Sequence, residues 1–122
     1  MVAPLKSGLE SSMEPLMNES EYTRLADETL RRIEHALEAV DDDLDFELAP
    51  GGILEVEFEN GSKIIINKQS ATQEIWVAAK SGGYHYRWDG STWRDTRSGD
   101  ELFAALSGFA SAQAGSEISL EA

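Results

Sequence analysis

The chain contains no cysteine, and this absence removes several kinds of chemistry at once. Without thiols the chain cannot form disulfides, use a thiolate nucleophile, or hold zinc or an iron–sulfur cluster on its own cysteines. Only two histidines occur, His35 and His85, too few for a histidine-rich metal site. Any metal bound here would be held mainly by oxygen, the ligand that hard cations prefer. The lack of cysteine fits a reducing compartment, and we expect the protein in the cytoplasm.

Positive charge and long hydrophobic runs are also scarce. The 122 residues include 10 Lys and Arg against 23 Asp and Glu, for a net charge of −13 and a pI near 4.4. Because phosphate contact needs a basic surface, we expect no nucleic-acid binding, and we expect cations or basic protein surfaces as partners. No apolar run approaches the roughly 20 residues of a membrane-spanning helix, so no membrane association is expected.

Catalytic motifs are missing as well. The sequence has neither a G-x-S-x-G motif nor a phosphate-binding glycine loop, and no serine stands at a suggestive spacing from a histidine. Carboxylates are abundant, but an open acidic sheet face offers no desolvated cleft that would raise a carboxyl pKa for acid catalysis. We therefore expect a protein that is not an enzyme.

The length suits one domain, with a short segment in front of it. Residues 1–16 have no sustained periodicity and contain Pro4, Gly8 and Pro15. We expect them to form a mobile N-terminal extension or leader, and residues 17–122 to form the folded domain.

Two helices are predicted, one at each end of this domain. Apolar residues spaced three or four apart predict a helix from about residue 19 to residue 40. Asn18 can cap this helix, and Glu21 stands where a capping box requires it. A second capping box, from Ser98 to Glu101, predicts the start of the C-terminal helix.

Between the helices, apolar and charged residues alternate with a period of two, which is typical of strands buried on one face. Short turns separate these segments, and Asn60-Gly61 is the strongest hairpin signal among them. The pattern predicts an α+β fold, a two-layer sandwich whose antiparallel sheet of five to six strands carries both helices on one face. The predicted strands occupy residues 43–48, 54–59, 63–67, 74–79, 84–88 and 92–95.

An acidic run crosses the end of the first helix and the first strand. Six acids and no base occur between Glu38 and Glu47. Glu34 and Glu38 repel each other at i,i+4, and acids at a helix C-terminus oppose the macrodipole. Local conflicts of this kind are expected at functional sites. Two interpretations stay open, a solvated acidic surface and a weak cation site completed by water.

One tryptophan falls on the opposite strand face from its apolar neighbours. If Ile75 and Val77 are buried, Trp76 lies on the solvent side of the sheet. An exposed tryptophan is typical of an interface anchor, although it could also lie flat on neighbouring strands. His85 is a further candidate for surface contact. Trp88 and Trp93 flank another hairpin turn and are expected to form a structural cross-strand pair.

The stretches FENGSKIIIN, at residues 58–67, and GGYH, at residues 82–85, together with several shorter ones, resemble bacterial members of the frataxin family. The resemblance runs from residue 17 to the C-terminus and is most specific in FENGSKIIIN and GGYH. It implies an α-β-sheet-α sandwich, in agreement with the pattern above. The similar stretches are Met17–Glu21, Leu25–Asp27, Phe58–Gln69, Ile75–Ala78, Gly82–His85 and Arg97–Gly99.

The resemblance also implies a function. Frataxins bind iron, Fe²⁺ or Fe³⁺, and act in iron–sulfur cluster assembly, as iron donors or as regulators of the cysteine desulfurase. The implied partners are this desulfurase and its scaffold protein, and the implied state is a monomer, or an oligomer with iron. Weak binding is expected, with other hard cations accepted. The implied metal residues are Glu34, Glu38, Asp41, Asp42, Asp43, Asp45 and Glu47. The implied partner-facing residues are Asn67, Gln69 and Trp76, which His85 joins as a candidate.

Two other classes of function remain as alternatives. One is a ferroxidase or iron-storing oligomer, against which the absence of Glu-x-x-His pairs argues. The other is an acidic protein-binding adaptor for which metal is incidental.

Overall fold

The structure of the protein, a computed structural model, describes residues 17–40 and 43–122. The extension predicted for residues 1–16, and the two acids Asp41 and Asp42, lie outside these ranges. Helix, six strands and helix follow one another along the chain. Their bounds are α1 Glu19–Glu38, β1 Leu44–Ala49, β2 Ile53–Phe58, β3 Lys63–Gln69, β4 Glu74–Ala79, β5 Gly82–Trp88, β6 Trp93–Asp95 and α2 Leu102–Ala114.

Helix α1 begins at the predicted capping box. The Glu21 N–H donates to Asn18 Oδ1 at 2.8 Å, and the Asn18 N–H donates to Glu21 Oε1 at 3.3 Å. The helix ends at Glu38, two residues before the predicted end. Its buried stripe recurs at helical spacing and faces the sheet. The buried residues are Tyr22, Ala26, Thr29, Leu30, Ile33 and Leu37.

The six strands form one antiparallel sheet in sequence order, β1-β2-β3-β4-β5-β6. One face of the sheet packs on both helices, and the other, called here the open face, is turned away from them. The predicted α+β two-layer sandwich is therefore confirmed, with six strands. The core draws alternate residues from the strands, among them Leu54, Val56, Ile64, Ile66, Ile75 and Val77.

The predicted second capping box is wrong. Helix α2 begins at Leu102, and its N-cap is Glu101, whose carboxylate accepts the N–H groups of Phe103 at 2.9 Å and Ala104 at 3.0 Å. The Ser98 hydroxyl instead accepts the N–H of Asp100. The physical reason is that Asp95 Oδ1 accepts the N–H of Ser98 and holds it in the preceding loop.

The tryptophan pair is confirmed, and its buried member also ties the sheet to α1. Trp88 and Trp93 are opposite in the β5–β6 register, with ring centroids 5.5 Å apart in an edge-to-face arrangement. Trp93 is buried, and its indole N–H donates to the Thr29 hydroxyl at 2.9 Å. Buried indole donors need an acceptor, and helix α1 supplies it here.

The chain after α2 folds back along that helix. Ile118 and Leu120 are buried in the core. Their N–H groups donate to the hydroxyls of Ser111 and Ser107, each at 2.8 Å. The apolar alternation in the last residues is the sequence signal for this extended return. In the described part of the chain, no helix is long and apolar enough to cross a membrane.

Candidate functional site

The described part of the predicted metal residues lies in the last turns of α1 and in or just before β1. We use the name acidic ridge for the seven predicted metal residues, of which all but Asp41 and Asp42 are described. Glu38 is exposed at the end of α1, where His35 Nδ1 lies 3.7 Å from its Oε1. Glu34 is half-buried one turn earlier, Asp43 is exposed just before β1, which begins one residue later than predicted, and the strand members Asp45 and Glu47 are exposed. Period-two alternation places these strand members on the open face.

The sheet register adds two acids that the sequence analysis missed. In the β1–β2 pair, Asp45 stands directly opposite Glu57, and Glu47 directly opposite Glu55. Like charges in such positions destabilise a sheet, so the open face carries two unfavourable pairs side by side. The sequence does contain a signal for these two acids. The acids of β2 alternate with apolar residues, and a Pro-Gly-Gly turn joins β2 to β1, which together predict acids opposite acids.

One lysine partly compensates this charge. Lys63 Nζ lies 2.9 Å from Glu55 Oε2. The Glu55 carboxylate, by hydrogen bond and by charge, raises the pKa of Lys63 above its usual value, and Glu57 adds to the effect. Because these groups are exposed to water, the ion pair is expected to contribute little to stability.

The ridge offers oxygen ligands in an open arrangement. Directly opposite carboxylates have Cβ atoms about 4.5–5.5 Å apart, close enough for two of them to contact one hydrated cation. Within residues 17–40 and 43–122, no three acidic or histidine side chains converge as a metal-holding cluster. Coordination by one or two carboxylates with water completing the shell is the arrangement that this geometry permits.

A second group of predicted residues lies at the centre of the open face. Trp76 and His85 are opposite each other in the β4–β5 register, and their rings stack in parallel at 4.2 Å with an interplanar angle of 6°. Trp76 is half-buried, while its neighbours Ile75 and Val77 are buried beneath the sheet. The predicted position of Trp76 on the solvent side is thus confirmed.

A buried glutamate fixes this aromatic pair, and the sequence analysis missed it. Glu74 is 5% exposed. Its Oε1 accepts the indole N–H of Trp76 at 2.8 Å, and its Oε2 accepts Arg87 Nη2 at 2.8 Å. His85 Nδ1 lies 3.8 Å from the same Oε1. The available signal was its position two residues before Trp76, hence on the same face of the strand.

Asn67 and Gln69 extend this group onto the neighbouring strand. Asn67 is opposite Trp76 and Gln69 is opposite Glu74 in the β3–β4 register, and both are half-buried. Ile53, opposite Asn67 on β2, is 42% exposed and adds apolar surface. We call the four predicted residues Asn67, Gln69, Trp76 and His85 the sheet patch. The structure brings all four together on adjacent strands, beside the acidic pairs of β1 and β2.

This fold and this open face belong to a known class of protein, which a comparison of the chain with protein-family models identifies. The model of the frataxin-like domain matches residues 15–116, which is most of the chain. The chain therefore belongs to the frataxin-like family.

Individual relatives agree with this assignment. The chain is 60% identical over 104 residues to the iron–sulfur cluster assembly protein CyaY of Dechloromonas aromatica, a match covering 85% of this chain and 99% of that protein. It is 56% identical over 108 residues to the protein of that name from Cupriavidus taiwanensis, covering 86% and 97%.

Solved structures show the same similarity. The frataxin of Psychromonas ingrahamii matches with a TM-score of 0.79 at 36% identity, covering 87% of this chain and 100% of that one. A trimeric frataxin from the yeast Saccharomyces cerevisiae, complexed with ferrous iron, matches with a TM-score of 0.60 at 25% identity, covering 82% and 88%.

Proposed function

We propose that the protein acts in iron–sulfur cluster assembly in the cytoplasm, binding iron on the acidic ridge and docking on a cysteine desulfurase and its scaffold. Relatives at 60% and 56% identity are named as assembly proteins of this pathway, and a yeast frataxin is complexed with ferrous iron. The observation that carries the proposal is the placement of opposed carboxylates next to the sheet patch on one open face.

Iron is the cargo in this proposal. The carboxylates of β1 and β2 repel one another, and a hydrated Fe²⁺ or Fe³⁺ between them replaces this repulsion by attraction. Because the ligands are few and exposed, the ion is held weakly and exchanges readily with solution. Other hard cations compete for the same oxygens.

The partner surface combines charge and contact. The acidic ridge attracts a basic patch over distance, which mainly raises the association rate and depends on salt. The stacked pair of Trp76 and His85 supplies short-range contact, which mainly slows dissociation. Because the two surfaces adjoin, bound iron alters the charge that the desulfurase meets. This adjacency supports both an iron donor and an iron-dependent regulator.

The test is cluster formation on the scaffold by the desulfurase, with and without this protein and with and without iron. An iron-dependent gain in cluster formation at unchanged desulfurase turnover supports a donor, and an iron-dependent change in desulfurase turnover itself supports a regulator. The double variant Asp45→Asn, Glu47→Gln should lose iron-dependent activity, whereas Glu117→Gln, an exposed acid that is not one of the ridge residues, should keep it.

Two outcomes would contradict the proposal. If the wild-type protein binds neither the desulfurase nor the scaffold, the assembly function is wrong. If the ridge variant keeps the binding and the iron-dependent activity of the wild type, or if iron changes neither property in the wild type, the protein is an adaptor for which metal is incidental. Oxygen consumption per added Fe²⁺, compared with a buffer blank, separates either result from a ferroxidase.

A further inference from the structure

A groove of about 600 Å³ lies between the outer edge of the sheet and α2; of the described residues of the ridge and the sheet patch, His85 alone lines it. One wall is the outer edge of β5 and the other is α2, which presents the small residues Ala104, Ala105 and Gly108. The groove exists because β6 has only three residues and pairs with the last three of the seven residues of β5. Within the described ranges, no strand lies beside Gly82–Tyr84 on that edge.

The free edge presents main-chain hydrogen-bonding groups. In an antiparallel strand, the N–H and C=O groups of alternate residues point to the same edge. The His85 C=O accepts the Thr96 N–H at 2.9 Å on the β6 side. The N–H and C=O of Gly83, two residues earlier, therefore point the same way, beyond the end of β6. No atom lies within 4 Å of a Cβ built on Gly83, so the face of the strand is also uncovered at this residue.

A buried hydroxyl without a partner also belongs to this groove. Tyr86 lines the groove and its side chain is fully buried. Among the described residues, its hydroxyl has no hydrogen-bond partner. Leaving a buried hydroxyl without a hydrogen bond destabilises the fold, so it calls for an explanation beyond packing.

Two carboxylates mark the polar end of the groove. Asp95 and Asp100 line the same cavity as Tyr86, where these two carboxylates outnumber the guanidinium of Arg97. Burial, and then the charges of Asp95 and Asp100, raise the pKa of the Tyr86 phenol. This end of the groove therefore favours a ligand that donates hydrogen bonds and carries positive charge.

We propose that the groove binds an extended peptide segment of another protein, which adds as a strand to β5 and places a lysine side chain at Tyr86, Asp95 and Asp100. A strand edge beside a helix is the arrangement in which several peptide-binding domains add a ligand strand to their own sheet. Main-chain hydrogen bonds to Gly83 align the segment, and the small residues of α2 leave room for it. The lysine ammonium donates to the Tyr86 hydroxyl and is attracted by the carboxylates.

The test uses three acetylated and amidated pentapeptides, titrated into the 15N-labelled protein. The first is Thr-Val-Lys-Val-Thr, and the others carry norleucine or glutamate in place of lysine. The lysine peptide should shift the amide signals of Gly83–His85 and of residues 104–108. The norleucine peptide should bind about tenfold more weakly or worse, which corresponds to the loss of a charge-assisted hydrogen bond. The glutamate peptide should not bind.

Two tyrosine variants complete the test. Tyr86→Phe removes an unpartnered hydroxyl, so the melting temperature should stay the same or rise, while affinity for the lysine peptide falls about tenfold. Tyr84→Phe is the matched control, because Tyr84 lines the groove but its hydroxyl already has a partner in Ser81. This control should bind the lysine peptide as the wild type does.

Three results would overturn the proposal. The first is equal binding of the lysine and norleucine peptides, and the second is no shift in the groove at millimolar lysine peptide. The third is a lower melting temperature for Tyr86→Phe, since this would reveal a partner for the hydroxyl inside the fold. None of these measurements requires the desulfurase or iron, so the outcome is independent of the proposed assembly function.

Discussion

The Trp76 side chain makes two contacts within its own protein, one through its indole N–H and one through a face of its ring. Glu74 accepts its indole N–H, and the His85 ring covers one of its faces. A tryptophan fixed in this way loses little side-chain entropy when a partner covers its remaining surface, and no donor is left unpaired on binding. These are the properties of a binding hot spot, and they belong to single residues rather than to the sheet as a whole.

Replacing Trp76 by alanine should therefore weaken binding without unfolding the protein. We expect Trp76→Ala to cost about 2 kcal/mol or more in desulfurase affinity while iron binding stays unchanged. Calorimetric titration with each ligand measures both quantities. An unfolded variant would show that the ring belongs to the core, and normal desulfurase binding would leave recognition to the acidic ridge alone.

Glu74 can be tested by its effect on stability. Glu74→Ala removes the acceptor of both the Trp76 indole and the Arg87 guanidinium, and should lower the free energy of unfolding by about 1–3 kcal/mol. Glu74→Gln keeps an acceptor oxygen and should cost less. Urea unfolding measures the difference. Equal losses in the two variants would mean that the hydrogen bonds to the carboxylate are not what stabilises this position.

Among the secondary-structure elements, α2 begins later than its sequence predicts because of the loop that precedes it. Ser98-x-x-Glu101 fits a capping box by its letters, but Asp95 has already accepted the N–H groups of Arg97 and Ser98. The same short-range competition between a polar side chain and the backbone produces both caps and turns. The helix therefore starts after Glu101, which takes the role assigned to Ser98.

Replacing Glu101 and replacing Ser98 should lower the stability of the protein by different amounts. Glu101→Ala leaves the N–H groups of Phe103 and Ala104 without their acceptor and should destabilise the protein by about 1 kcal/mol, within the 0.5–2 kcal/mol known for N-caps. Ser98→Ala should cost clearly less. Thermal unfolding of the two variants side by side is the measurement. A larger loss of stability for Ser98→Ala would mean that Ser98, and not Glu101, caps the helix.

For the whole molecule, net charge and its placement set the response to metal. The chain carries a charge of −13, and the acids of β1 and β2 oppose each other across the strands. A cation that binds only the folded state stabilises it by RT ln(1 + [L]/Kd), about 2.7 kcal/mol at one hundred times Kd. Plain salt also relieves repulsion, but only by screening.

We expect a divalent or trivalent cation to raise the melting temperature more than NaCl does at equal ionic strength. Calorimetry at low ionic strength is the measurement. In the double variant Asp45→Asn, Glu47→Gln the metal effect should shrink, while the metal-free protein becomes more stable because the opposed charges are gone. A metal effect no larger than that of NaCl would count against a site on the ridge.

Alkaline pH should unfold the protein through its buried phenols. Burial is the main cause that raises the pKa of Tyr22 from 10 to about 12, and burial raises the pKa of Tyr86 as well. Both raised pKa values favour the neutral phenol in the folded state. The resulting stability is complete below pH 10 and is lost between pH 10 and about 12 for Tyr22, as the unfolded chain ionises first. Phenolate absorbance should rise together with unfolding. A rise that precedes loss of structure would contradict this coupling.

Much of the architecture was predictable because it depends on local periodicity. The helix cap at Asn18, the strand alternation and the hairpin at Asn60-Gly61 depend on residues a few positions apart, and these determine an α+β sandwich. The acidic ridge and the solvent-side position of Trp76 follow from the same periods. The resemblance to frataxins gave the candidate partners and the metal.

The tertiary structure alone decided which residues face one another over long sequence distances. Register placed Glu57 opposite Asp45, and Arg87 opposite Glu74, pairs separated by 12 and 13 positions along the chain. The early end of β6 opened the groove beside β5, and packing buried the Tyr86 hydroxyl without a partner in the described chain. Periodicity assigns a residue to a face of its own strand, but strand pairing sets its neighbours, because hydrogen bonds between strands and packing of the shared core choose the register.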